Sequence, residues 1–137
     1  MAWQIPDVGE VEWLKRALYA NSGSENLTQK LYSNNHVYAE SDTASDYTVA
    51  TFTGYSSKTL TSSQSGSTWA VPTTATGTTS SAYGTASVWT PTSSQTVYGQ
   101  ILVGATSTTL LAVDAFAAGL PLANGATLTI TPVLALA

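Results

Sequence analysis

The segment Val97-Tyr-Gly-Gln-Ile-Leu-Val-Gly-Ala-Thr-Ser-Thr-Thr-Leu-Leu-Ala-Val-Asp-Ala-Phe116 decides the fold of this chain. Two largely apolar runs, Thr96–Val103 and Thr108–Val113, flank the polar stretch Gly104-Ala-Thr-Ser107. This is the pattern of a β-hairpin with a four-residue connection. Strands that are apolar on both faces are typical of the covered centre of a sheet. We therefore expect this hairpin to form the middle of the fold.

Asp114, near the end of this segment, is the only acidic or basic side chain between Thr59 and Ala137. Charged residues make up 9% of the chain, whereas about a quarter is usual in soluble domains. Serine and threonine together occupy 40 of the 137 positions, so hydroxyl groups supply the missing polarity. Threonine is β-branched and favours strands, which indicates a β-rich body with a neutral surface.

A buried carboxylate needs hydrogen-bond partners, and we expect Asp114 to accept backbone N–H bonds in a turn.

The N-terminal part has the pattern of an amphipathic helix. Asp7 followed by Glu10 is typical of a helix start, because the two carboxylates can accept bonds from the first backbone N–H groups. Apolar residues then recur at three- and four-residue spacing, at Val8, Val11, Leu14 and Leu18. The spacing predicts a helix at about residues 8–20, ended by Asn21-Ser-Gly-Ser24.

Beyond this helix the period changes to that of strands. Alternating or short extended stretches occur at Leu27–Tyr32, Tyr47–Tyr55, Lys58–Thr61, Thr68–Val71, Ala86–Trp89 and, after the turn dipeptide Asn124-Gly125, at Ala126–Thr131. We predict a mainly β fold, an antiparallel β-sandwich or jelly-roll-like barrel, with one N-terminal α-helix. Residues 1–24 form an arm and helix and residues 25–137 a β-rich body, within a single domain overall.

Several classes of function are disfavoured by composition. The chain has no cysteine and only four basic residues, which form no patch, so we expect no nucleic-acid partner. No apolar run is long enough to span a bilayer, and we expect no membrane partner. His36 is the only histidine. A Ser/His/acid arrangement with Glu40 lacks a nucleophile motif, so we expect neither an enzyme nor a cofactor.

Three acids near His36 raise the question of a metal site. Glu40, Asp42 and Asp46 carry oxygen ligands of the kind that hard cations prefer. Their spacing lacks the glycine and the bidentate terminal acid of a calcium loop. We therefore interpret them as solvated acids beside turns and expect no bound metal.

The aromatic residues allow two interpretations. Trp13, Trp69, Trp89, Tyr83 and Tyr98 either form a stacking groove or lie in the core, and strand aromatics favour the core.

Trp3 and Ile5 precede the helix. They suit an arm inserted into a neighbouring subunit, whereas Ile5 or Pro6 could instead pack back on the chain's own helix.

A set of short motifs resembles a known family. The motifs are Pro6-Asp-Val-Gly-Glu-Val-Glu-Trp-Leu-Lys-Arg-Ala-Leu18, Glu25-Asn-Leu-Thr-Gln-Lys-Leu-Tyr32, Thr51-Phe-Thr-Gly-Tyr55, Lys58-Thr-Leu-Thr61, Val97-Tyr-Gly99 and Asn124-Gly-Ala-Thr-Leu-Thr-Ile-Thr-Pro132. Their order, from residue 6 to near the C-terminus, is similar to that of small structural proteins of tailed bacteriophages.

The resemblance implies a virion component, and among virion roles we favour a capsid decoration or cement protein on the outer surface of the capsid. Its partners would be the major capsid protein and further copies of itself, as a dimer or trimer at a symmetry axis. The expected contacts lie in residues 1–20, at Trp3, Ile5, Val11, Leu14 and Leu18. The alternative is a tail or fibre module that binds host-surface glycan through exposed tyrosines and threonines.

Overall fold

A computed structural model describes residues 3–18, 25–62, 69–75 and 78–136. These residues form one α-helix and nine strands, all paired antiparallel. The elements are α1 (Asp7–Leu18), β1 (Leu27–Tyr32), β2 (Lys58–Leu60), β3 (Thr73–Ala75), β4 (Thr78–Ala82), β5 (Ser87–Trp89), β6 (Gln95–Gly104), β7 (Leu110–Leu122), β8 (Leu128–Ile130) and β9 (Val133–Leu136). The predicted class, mainly β and antiparallel with one N-terminal helix, is confirmed.

The central sheet has the strand order β2-β1-β6-β7 and contains the predicted hairpin as β6 and β7. Side chains alternate between its two faces. One face carries two apolar clusters built around Leu102 and Leu31, and the other carries a cluster around Ile101. Both faces are therefore covered, as the apolar character of the hairpin predicts.

Glu25 fixes the turn of this hairpin. Its Oε2 accepts the N–H groups of Thr106 and Ser107 at 2.5 and 2.9 Å, and its Oε1 accepts the Ser107 hydroxyl at 2.6 Å. Thr108 has a φ of 56°, which is the left-handed region that closes such turns. A side chain far away in sequence thus supplies the hydrogen bonds that the tight connection needs.

The pairing of β6 with β7 is interrupted by a bulge at Leu111, since Leu102 pairs with Ala112 and Val103 with Leu110. The helix packs on this bulge. Trp13 Nε1 donates to the Leu111 carbonyl at 3.4 Å. A Cβ on Gly9 would lie 2.7 Å from the same oxygen, so only glycine permits this close approach.

The segment before the helix extends the sheet beyond β7. The Gln4 N–H donates to the Val113 carbonyl at 2.6 Å and the Val113 N–H donates back at 2.7 Å. Trp3 is 8% exposed and packs in the cluster of Leu102 and Leu111. Residues 3–13 therefore complete the core of the β-rich body and cover part of an edge that would otherwise be unpaired.

The helix begins at Asp7, whose N–H donates to the Glu40 carbonyl at 2.9 Å, and the Pro6 carbonyl accepts the first intrahelical bonds. The predicted helix is confirmed in its described part, with its start one residue earlier than expected. Residues 19–24, which include the predicted stop, lie outside the described residues.

The strand predicted at Tyr47–Tyr55 is wrong. Only Val49 forms a bridge, with Tyr32. Further along, Gln95 Oε1 accepts the N–H groups of Thr51 and Phe52 at 2.9 and 3.1 Å. The Gln95 side chain thus accepts hydrogen bonds from backbone N–H groups that would otherwise pair with a neighbouring strand. The segment therefore packs on the core without forming a strand.

Two smaller sheets complete the fold, with the orders β3-β4-β9 and β5-β8. The latter contains the predicted strand after Asn124-Gly125, and Gly125 has the positive φ of 79° that this turn requires. Leu128 and Ile130 point to the core beside Trp89, as their alternation predicts. The sequence did not predict β3, β4 or β9.

Candidate functional site

A row of buried polar side chains crosses one face of the central sheet. It lies between the two apolar clusters of that face, which are built around Leu102 and Leu31. Ser87 Oγ donates to Gln29 Oε1 at 2.5 Å, and Gln29 Nε2 donates to Gln100 Oε1 at 2.5 Å. Gln100 Nε2 then donates to Asp114 Oδ2 at 2.9 Å. Asp114 thus lies within β7 and accepts a side-chain amide, which corrects the expectation of a turn with backbone donors. All four side chains are buried, and the row joins strands rather than forming an open site.

Tyr32 lies beside this row. Its hydroxyl and the Oδ1 atom of Asp114 are buried without a hydrogen-bond partner among the described residues. Burial, reinforced by the nearby Asp114 carboxylate, raises the pKa of Tyr32 to about 12. The phenol is therefore neutral at physiological pH.

His36 forms the second polar group, with Asp42 and Tyr47. Asp42 Oδ2 accepts the Tyr47 hydroxyl at 2.6 Å and the Ala39 N–H at 2.9 Å, and lies 2.9 Å from His36 Nε2. Burial acts to raise the pKa of Asp42, but these hydrogen bonds outweigh it and hold the pKa below its usual value. Burial and the bond to Asp42 raise the pKa of Tyr47.

Among the described residues, the side chain that His36 contacts by a hydrogen bond is Asp42 and not Glu40, the acid considered beside it in the sequence. An aspartate that orients an imidazole is part of many catalytic sites, but here the remaining bonds of Asp42 go to Tyr47 and to backbone. The arrangement ties the loop before Tyr47 to the core.

Asp46, another acid of this loop, forms hydrogen bonds to a residue close to it in sequence. Asp46 Oδ2 accepts the N–H and the hydroxyl of Thr43 at 2.8 and 2.9 Å, and so caps the short turn Ala44–Asp46. These bonds hold the pKa of Asp46 below its usual value. Within the described ranges, no group of three or more His, Asp or Glu side chains is placed to hold a metal ion.

The predicted contact residues have different environments. Trp3 is buried in the chain's own core, and Ile5 is half-buried with its carbonyl accepting the Tyr38 hydroxyl at 2.9 Å. Val11 is 51% exposed on α1, and Val8, one turn earlier, is also exposed. Val8 was not among the contacts predicted from the sequence, although its three-residue spacing from Val11 places both on one face.

The side chains of Leu14 and Leu18 lie outside the described residues, although both positions are helical. Among the predicted contacts whose side chains are described, Val11 is the exposed one, and it shares its helical face with Val8. Val11 and Val8 define this face.

The aromatic side chains do not share one groove. Trp89 is buried, and its Nε1 donates to the Ser56 carbonyl at 2.8 Å, so its assignment to the core is confirmed. Trp69 packs edge-on against Tyr83 at 5.2 Å between ring centroids. Trp13 and Trp69 line a small apolar pocket of about 290 Å³.

A larger hollow of about 560 Å³ lies between β2 and β5. Hydroxyl groups dominate its lining, and Lys58 is the one charged side chain among the described lining residues. The hydroxyl-bearing residues are Ser56, Ser57, Thr59, Tyr83, Thr85 and Ser87. We name this hollow the β2–β5 cleft.

In the part of the chain that the structure describes, no helix has the length and apolar character needed to cross a membrane.

Comparison of the chain with protein-family models, with curated proteins and with solved structures finds no match.

Proposed function

We propose that this protein is a virion structural component, a decoration or cement protein on the outer surface of a bacteriophage capsid. It would bind the major capsid protein and stabilise contacts between capsomers. One observation carries the proposal. Because Asp114 is buried, the part of the surface contributed by residues 59–137 presents no charged side chain.

Such a surface suits close packing against a protein shell. Burying an unpaired charge at an interface costs several kcal/mol, and interface cores are depleted in charged residues. Apolar side chains stand exposed on this neutral part, among them Val71, Val88 and Val133. Contacts made there with a neighbouring subunit would bury no unpaired charge of this chain.

The exposed face of α1 is the second proposed contact. Val8 and Val11 present apolar surface next to the acids Asp7 and Glu10. The opposite side of the helix packs on β7 through Gly9 and Trp13. The orientation of the exposed face relative to the sheet is therefore fixed. This replaces the expected insertion of Trp3, which is already buried within the chain.

Stabilisation follows from mass action. A protein that binds assembled capsomers, and not free subunits, shifts the equilibrium toward the assembled shell. Binding at a symmetry axis requires a matching oligomer, so we propose a dimer or trimer.

The test is co-sedimentation of the purified protein with phage capsids stripped of accessory proteins. We expect saturable binding at a fixed number of copies per shell, and weaker binding by Val11→Asp. Val37→Asp is the matched control for an exposed valine that does not lie on α1, since Val37 is 84% exposed in the loop before Glu40. Absence of binding by the folded protein would contradict the proposal. Deletion of residues 1–20 is unsuitable, because it removes Trp3 from the core and the backbone bridge of Gln4 to Val113 from the sheet.

A second candidate function is favoured by the β2–β5 cleft, whose hydroxyl lining suits sugars. The protein would then be a tail or fibre module that binds host-surface glycan. This candidate predicts glycan binding by the isolated protein and no binding to capsids. The two functions are separated by the sedimentation experiment and a glycan-binding measurement on the same preparation.

A further inference from the structure

We infer that the β2–β5 cleft is a binding site for a saccharide that carries a carboxylate, with Lys58 as the group that binds the carboxylate. The inference names a ligand class for the second candidate function, but it rests on the geometry of the cleft alone. It therefore applies whether or not the protein also binds a capsid.

The walls of the cleft are fixed at both ends. At one end Trp89 Nε1 donates to the Ser56 carbonyl at 2.8 Å. At the other end the Thr61 N–H donates to the Tyr83 hydroxyl at 3.1 Å. These bonds tie the segment around β2 to the chain on the opposite wall, so the hollow exists before any ligand arrives. A preformed site avoids the entropic cost of ordering on binding.

Lys58 is one of the residues that line this hollow. Its Nζ lies 3.3 Å from Ser56 Oγ and 5.5 Å from the centre of the Trp89 ring, and the side chain is half-buried. Among the described residues, no carboxylate lies within salt-bridge distance of it. Lys58 is also the only lysine or arginine after Lys30, and its positive charge attracts an anion to the cleft.

The remaining lining selects a sugar. The side chains of Ser57, Thr59 and Thr85 make no hydrogen bond among the described residues. A hydroxyl group both donates and accepts, as the hydroxyls of a sugar do. A volume of about 560 Å³ falls within the usual range of small-ligand sites, about 300–1,000 Å³. One lysine matches the single negative charge of a carboxylate, whereas a phosphate monoester carries a charge of about −1.5 to −2 at pH 7.

The experiment uses the full chain and two trisaccharides that differ only at their carboxyl groups, charged trigalacturonate and its neutral, fully methyl-esterified form. Binding is followed by calorimetry at low salt and by backbone amide NMR shifts. We expect trigalacturonate to bind with shifts at Ser57, Thr59 and Thr85, and the neutral ester to bind at least about tenfold more weakly, the size expected for one charge-assisted hydrogen bond.

Lys58→Gln should weaken trigalacturonate binding by about the same factor, and the weakened affinity should no longer fall with added salt. Lys30→Gln is the matched control. Lys30 lies on β1 and points to the sheet face opposite Gln29, away from the cleft, so its replacement should leave the affinity unchanged. Circular dichroism and the NMR spectrum verify that both variants are folded.

Three results would overturn the inference: no binding by the folded protein, equal affinity for the acid and the ester, or unchanged affinity in Lys58→Gln. Tighter binding of an extended acidic peptide at the same amides would also overturn it, since that would show strand addition to the edge of β2. None of these results bears on capsid sedimentation, so the inference and the proposed function fail independently.

Discussion

Gln100 and Asp114 lie directly opposite each other on β6 and β7, and the amide of Gln100 donates to the carboxylate of Asp114 at 2.9 Å. Both side chains are buried. The only acidic side chain of the second half of the chain therefore stabilises the interior, while the surface of this half has no charged side chain and is rich in hydroxyl groups.

Asp114→Ala removes this acceptor and leaves the amide of Gln100 buried without it. We expect the free energy of unfolding to fall by about 1–3 kcal/mol, the cost of an unsatisfied buried polar group. Asp114→Asn keeps an acceptor oxygen and should lose less. Urea unfolding of both variants measures the difference. Equal stability of Asp114→Ala and the parent protein would show that the polar row does not stabilise the fold.

Gly99→Ala tests the packing of Tyr32. A methyl group at position 99 would overlap the Tyr32 ring, its hydroxyl and the Asp114 carbonyl oxygen. We expect a loss of about 1–3 kcal/mol in unfolding free energy, as for other overpacked cores. Tyr32→Phe removes an unpartnered hydroxyl and should cost less than about 1 kcal/mol. In the double variant the loss should be smaller than in Gly99→Ala, and an undiminished loss would assign the clash to the ring of residue 32 and the Asp114 backbone rather than to the hydroxyl.

Acid should destabilise the protein partly through Asp42. Its pKa in the folded state lies below its usual value, so the carboxylate contributes stability above the unfolded pKa, about 4, and this contribution is lost as the pH falls through the folded pKa. Urea unfolding between pH 6 and pH 3 measures this loss. Asp42→Asn should show a flatter pH dependence than the parent protein. Identical slopes would exclude Asp42 as a source of the acid sensitivity.

Glu25→Ala should loosen the β6–β7 turn. It removes acceptors for two backbone N–H groups and one hydroxyl, and we expect a loss of about 1–2 kcal/mol in unfolding free energy. Amide hydrogen exchange at Thr106 and Ser107 should become faster than in the parent protein. Glu40→Ala is a suitable control, because Glu40 is exposed and lies in another loop. Unchanged exchange in Glu25→Ala would show that the turn holds without this side chain.

The elements that could be predicted from the sequence are those with local patterns. The helix, β1 and the hairpin of β6 and β7 have the periodicity or the apolar runs of their class over whole elements. In β4 every residue is half-buried and the chain is mostly threonine and serine, so no alternation of apolar and polar residues marks it.

The contacts of single residues could not be predicted in the same way. Thr51 meets Gln95, 44 positions away, and this bond keeps a well-patterned segment out of a sheet. The partners of Trp3 and of the Asp114 carboxylate depend on the register of β6 and β7, which no local pattern gives. The candidate cleft likewise joins two walls from separate parts of the chain.

The packing of the N-terminal segment on β7 has a consequence for the order of folding. Trp13 bonds to Leu111 across 98 positions, and Gln29 bonds to Gln100 across 71. Trp3 and Gln4 are synthesised well before their partners Leu111 and Val113 on β7. The central sheet therefore closes only after β7 has been made, and this long-range topology predicts slow folding.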